Sequence, residues 1–226
     1  MSDFVFADYA ALVFFVAAWV GYKIAVEDLP IAKRSLNARM NDYRRAWKQQ
    51  MLARELRIVD TTILATLQNG TAFFASTSLI AIGGALALLR STDEVLGLVA
   101  DLPFGLKTTR VAWELKVVGL VVIFGYAFFK FSWSYRLFNY AAILLGATPM
   151  ASEKDTAPAQ EAASRTAAMN VVAGRHFNRG QRAFFFALAY LGWFVSPYVL
   201  VISTAAVLAV MWRRQFASDA RAALDA

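Results

Sequence analysis

Cysteine is missing from all 226 residues, which rules out a disulfide framework and any thiolate metal centre. Histidine occurs once, at His176, and this removes paired-histidine haem ligation, HExxH-type zinc sites and most Ser-His-Asp chemistry. Charged residues make up 17% of the chain, against about a quarter in an ordinary soluble domain. There is no Walker-type Gly-Lys-Thr/Ser loop and no G-x-S-x-G elbow. The first eight residues hold Asp3 and Asp8 but no Lys or Arg, so the positive region of a secretory signal is lacking and the first apolar run is read as a retained membrane helix. No catalytic residue, metal or cofactor is expected, and an enzyme is not the expected class.

What is present is apolar: 59% of residues, gathered in long runs. The expected fold is all-α, a polytopic transmembrane helical bundle. It has three clear spans, a Pro-broken fourth apolar segment and long amphipathic cytoplasmic helices. Residues 6–25 supply the roughly 20 residues that span 1 needs, with Trp19, Tyr22 and Lys23 suited to an interface. Residues 28–60 change character and carry eight basic side chains, while Leu36, Met40, Tyr43, Trp47, Met51 and Leu52 recur at helical spacing. A basic amphipathic helix is expected there, lying on anionic lipid, packing on a partner as a cytoplasmic stalk, or simply solvated. Residues 61–89 are uncharged and form span 2. The balanced Arg90–Ala112 stretch, with Pro103 and Gly105, reads as a loop, and residues 113–137 form span 3, running on towards Gly146. Residues 151–165 (ASEKDTAPAQEAASR) read as a flexible loop, and Ala167–Arg182 as a second amphipathic helix that Gly180 could interrupt.

Residues 183–212 are again uncharged, with Pro197 in the middle. A proline there breaks the helix ladder, so either one kinked span or a helical hairpin is open. Charge favours the hairpin. Residues 28–60 and 136–182 carry eight and six basic groups and belong inside, as do Arg213, Arg214 and Arg221. The expected location is the cell membrane, the bacterial inner membrane in particular, with the N-terminus outside and the C-terminus cytoplasmic.

Polar groups at membrane depth are costly, and two faces carry them. On span 2, Thr62, Thr66, Asn69 and Ser76 align with small residues as pore-lining or interhelical polar candidates, packing being the plainer alternative. Gln68 and Asn69 need partners most, and Asp60 below them is expected to pair with a basic residue of span 3. On span 3, Lys116, Tyr126 and Lys130 share a face. The lysines either snorkel to their own interfaces or line a vestibule that favours anions. Glu114 is placed to pair with Arg110. Arg175, Arg179 and Arg182 around His176 are anion or lipid-headgroup candidates, a topogenic charge cluster being the alternative.

The stretches RELRIVDTTILATLQNGTAFFASTSLIAIGGALALL, YAFFKFSWSYRLFNYAAILLGA and RHFNRGQRAFFFALA resemble the signatures of a membrane family catalogued as domain-of-unknown-function family 599. The resemblance covers residues 35–216 and implies a polytopic membrane protein, with no catalytic residue to carry over. The layout is also loosely similar to bestrophin-like anion channels, an architectural analogy that fixes no function. Two functional expectations follow. One is a homo-oligomeric channel or passive transport protein for small ions, leaning to anions. The other is a non-catalytic accessory or scaffold subunit of a membrane complex. The expected partners are the lipid bilayer and either further copies of the chain or a membrane-complex partner; nucleic acid is not expected, because the basic residues flank apolar runs.

Overall fold

The structure, a computed structural model, describes residues 4–100 and 108–224. Asp3, Asp101, Pro103, Gly105 and Lys107 lie outside the described residues. Every regular element among those described is helical: α1 (Phe6–Glu27), α2 (Leu36–Leu52), α3 (Ile58–Arg90), α4 (Thr92–Ala100), α5 (Arg110–Gly146), α6 (Ala157–Val195), α7 (Pro197–Phe216) and α8 (Asp219–Ala222), with short 3-10 turns at Pro30–Arg34 and Ala151–Glu153. Helices α1, α3 and α5 and the segment opening at Pro197 are long and apolar enough to cross a membrane. The chain is an all-α polytopic bundle.

Local chemistry sets the helix starts. Ser35, Thr109, Thr156 and Ser196 each accept a hydrogen bond at a helix N-terminus, from the amides of Ala38, Ala112, Ala159 and Val199. After Ser196, Pro197 takes the first helical position, where its missing N–H is no loss. The apolar segment is therefore a hairpin: α7 returns antiparallel along α6, with the Ser203 hydroxyl donating to the Ala189 carbonyl at 2.7 Å.

Several expected boundaries are corrected. The stretch 151–165 is not a flexible loop, because Thr156 and Pro158 start α6, which runs unbroken for 39 residues through Gly180 to Val195. The basic region 28–60 is a 3-10 turn followed by α2, and Asp60 already belongs to α3. Within the Arg90–Ala112 connection, residues 92–100 form α4.

Helices α3, α5 and α6 run antiparallel in sequence, joined by Gln68 to Asn139 and by Ser134 to the Ala173 carbonyl. Helix α1 packs on α7 and α6 through Phe15 and Trp19 against Phe186. An aromatic and alanine core of Phe131, Phe186, Tyr190, Trp193, Ala127 and Ala183 lies where α1, α5 and α6 meet. Helix α2 runs antiparallel along the lower half of α6, the part that precedes Ala183 and carries its arginines. One end of the bundle thus carries Asp8, α4 and Ser196, while the other carries α2, the basic half of α6 and the C-terminal residues. Arg34 and Arg221 touch at this second end, where the Arg221 Nε donates to the Arg34 carbonyl.

Candidate functional site

Helix α3 is fixed to its neighbours along one narrow line. Leu64, Thr71, Ser78 and Ala85, every seventh residue, are buried with Asp60, mostly against α5. Residues flanking that line are half-buried, and the opposite face is exposed and contains the polar stripe. Thr62, Thr66, Asn69 and Ser76 all face outward. The Thr62 and Thr66 hydroxyls donate back to the carbonyls of Ile58 and Thr62, which satisfies their protons inside the helix. Asn69 has no hydrogen-bond partner among the described residues, whereas its neighbour Gln68 donates to Asn139 at 2.6 Å. A wall at Gly83 and Gly84 has no atom within 4 Å of an added methyl group, so it stands free.

The two polar faces singled out in the sequence do not meet in one chain. Lys116 is buried and donates to the Trp193 carbonyl at 2.8 Å. The cause is Pro197: in a continuing helix the amide four residues on would satisfy Trp193, and proline has none. Lys116 supplies the missing donor, so it neither snorkels nor lines a vestibule. Trp193 in turn donates from its indole to Asp8 at 2.8 Å, which ties α1, α5 and α6 at that end. Tyr126 meets Trp19 of α1, and Lys130 lies over the Tyr126 ring, on the α1 and α6 side rather than the α3 side. His176 packs edge-on to Trp133, and burial together with Lys130, Arg179 and Arg175 holds its imidazole below the usual histidine range.

The arginine cluster is assembled by an acid that the sequence reading overlooked. Glu27, the last residue of α1, accepts from Arg179 and, at 3.0 Å, from Arg182. Arg182 is 5% exposed and lies over the Tyr22 ring, whose hydroxyl donates to the Met211 carbonyl. Arg175 remains exposed at the rim. Two adjacent cavities of about 110 and 260 Å³ open here between α1, α2, α6 and α7, sharing Asn37, Asn178 and Arg182 in their walls. The signal available beforehand was spacing: Arg179 and Arg182 share a face, and Glu27 ends an apolar span next to basic sequence.

A second buried polar group joins α2 to α3. Asp60 is fully buried and accepts from Trp47 and Arg54, both at 2.6 Å. This corrects the expected pairing with span 3: the partner is Arg54, six residues away, because the chain turns back between α2 and α3. Lys48 is 0% exposed, its ammonium over the Trp47 ring, and Asn170 of α6 is equally buried. Burial pushes Lys48 down to about 8, with Asp60 pulling the other way. The antiparallel register that sets Asn37 by Gln181 and Arg44 on Gly174 brings Lys48 level with Asn170. Among the described residues no three His, Asp or Glu side chains are grouped to hold a metal.

A family model described as "Protein of unknown function, DUF599" matches residues 10–220. Neither the curated proteins nor the solved structures contain a match to the chain.

Proposed function

The chain belongs to the family described as Protein of unknown function, DUF599, and since that membership carries no activity we propose one from the geometry: a homo-oligomeric membrane protein giving small ions a passive path between the α3 faces of neighbouring subunits. The observation that carries the reading is Asn69, exposed three turns into a 33-residue apolar helix. A carboxamide left in hydrocarbon costs a few kcal/mol, so another polar surface or water must cover it. Thr62, Thr66 and Ser76 extend the stripe over about 21 Å, a large part of a bilayer's hydrocarbon thickness. The leaning to anions rests on the guanidiniums of Arg54 and Arg57 at its lower end, where Asp60 is buried and paired with Arg54 and Glu55 is the exposed acid.

The orientation in the cell membrane follows from charge. Basic residues of α2, of the lower half of α6 and of the C-terminal segment share one end, and the positive-inside rule puts that end in the cytoplasm with Asp8 outside. A compartment-specific reporter fused at the C-terminus is expected to read cytoplasmic.

Absence of cysteine makes the test clean. Asn69→Cys introduces a single thiol, and oxidation in native membranes is expected to link two copies of the chain. Reconstituted protein is expected to pass small anions, and Asn69→Leu to reduce that flux. A chain that stays monomeric, fails to cross-link and conducts nothing overturns the proposal.

The second reading is a non-catalytic accessory subunit. It is favoured by Gly83 and Gly84 beside the exposed Phe73 and Ile80, a surface into which a foreign helix could pack. Co-purification of one stoichiometric membrane protein, with cross-links to it in place of a second copy, is the outcome that selects this reading.

A further inference from the structure

The cavities at the basic end are independent of the α3 stripe and of any conduction along it. Their walls hold five cations, Lys33, Arg175, Arg179, Arg182 and Arg214, against two acids. Both acids are already engaged, Asp28 by Lys23 at 2.5 Å and Glu27 by Arg179 and Arg182. A positive excess is left facing the space. Arg182 is nearly buried, lines both cavities and donates to Glu27 through one nitrogen of a guanidinium that has five N–H bonds. The amides of Asn37, Asn178, Gln181 and Gln215 complete a wall able to bond oxyanions. At 110 and 260 Å³ each cavity is smaller than the roughly 300–1,000 Å³ of drug-sized pockets, a size suited to a phosphate-bearing group.

Beside this chamber an apolar groove runs between α1 and α7. It holds about 590 Å³ along Ala18, Gly21, Ala25, Leu208, Ala209 and Trp212. Tyr22 lines both spaces: its hydroxyl is held by the Met211 carbonyl, and its ring lies under Arg182 on the chamber side. A free phosphate would account for the chamber and leave the groove unexplained. One amphiphile accounts for both.

We propose that the chamber binds the phosphate of an anionic phospholipid while an acyl chain lies in the α1–α7 groove, making this a specific lipid site at the basic end of the bundle. Anionic lipid is concentrated at such surfaces, and each nearby basic residue strengthens its binding.

The test uses the full chain in detergent, titrated with phosphatidylglycerol or with phosphatidylcholine of the same acyl chains and read by native mass spectrometry. Phosphatidylglycerol is expected to be retained and phosphatidylcholine to wash out. Arg175 and Arg214 are both exposed and outside the Glu27 pairing, so Arg175→Gln with Arg214→Gln spares the fold. That pair is expected to weaken phosphatidylglycerol binding roughly thirtyfold. Gly21 has no atom within 4 Å of an added Cβ, so Gly21→Leu is expected to fill the groove, keep the melting temperature and weaken the same lipid. Equal retention of the two lipids overturns the proposal, as does displacement of phosphatidylglycerol by inorganic phosphate at millimolar concentration. Unchanged affinity in either folded variant overturns it too.

Discussion

Helices α3 and α6 are the most instructive pair in the molecule. Helix α3 is uncharged from Thr61 to Leu89, yet it fully buries a single line of side chains, half-buries those flanking it and exposes the rest. Helix α6 carries Arg165, Arg175, Arg179, Arg182, Asn170 and His176, yet it is packed by α2, α5 and α7 and touched by α1. In a soluble protein the two roles would be exchanged. Within a bilayer the apolar helix loses nothing by facing lipid, while polar groups must be covered by protein. Burial here follows polarity, and the centre of the bundle is its more polar helix.

The largest expected effect comes from breaking the cover of α6. Glu27→Ala leaves Arg182 buried with no countercharge, and removing one partner of a buried pair costs about 3–5 kcal/mol. Thermal unfolding in detergent is expected to show a large loss, with Glu27→Asp recovering part of it. A loss no greater than that of a surface substitution would mean that water enters the cluster and that α6 is less covered than it looks.

Somewhat smaller is the effect at Lys48, where α2 clamps α6 and α3. The folded chain holds this ammonium near 8, below the 10.5 of a free lysine. Above about pH 8 the folded state therefore releases its proton while the unfolded state keeps it, so stability rises with pH until about 10.5, by roughly 3 kcal/mol. Below 8 both states are protonated and the cost of burying the charge is present in full. Urea or thermal unfolding across this range is expected to show the rise, and Lys48→Met to flatten it. A slope that survives the substitution assigns the effect to another group.

The same contrast explains what could be read from residues alone. The three spans, the hairpin at Ser196-Pro197 and the ends of the bundle were legible because runs of uncharged residues and the placement of arginines obey the bilayer's constraints directly. The start of α6 was not, since an Ala, Ser and charge-rich stretch resembles a linker. Thr156 followed by Pro158 was the cap signal within it. The site was legible by residue type and not by pairing. Arg175, Arg179 and Arg182 stood out, whereas Glu27 sits 152 residues from Arg179 and only the packing of α1 on α6 joins them. Lys116 stands out in the sequence as a charge within an apolar run, but its partner is a backbone carbonyl that no side-chain pattern announces.

The smallest effect is the most discriminating about α3. An added methyl group at Gly180 of α6 would meet the Phe131 ring at 2.7 Å, and Phe131 is fully buried, so Gly180→Ala overpacks the core at a cost of about 1–3 kcal/mol. At Gly84 of α3 the same methyl meets nothing within 4 Å. There Gly84→Ala changes only the helix's own preference, a gain of up to about 1 kcal/mol in the isolated chain. If copies of α3 lie against one another, that gain is offset by the lost close approach, and the oligomer should loosen while the monomer melts slightly higher. Monomer melting and cross-linking at Asn69→Cys, measured on one preparation, separate the two contributions. A higher melting temperature with unchanged cross-linking moves the subunit contact away from Gly84 and leaves Asn69 as the part of α3 that other copies cover.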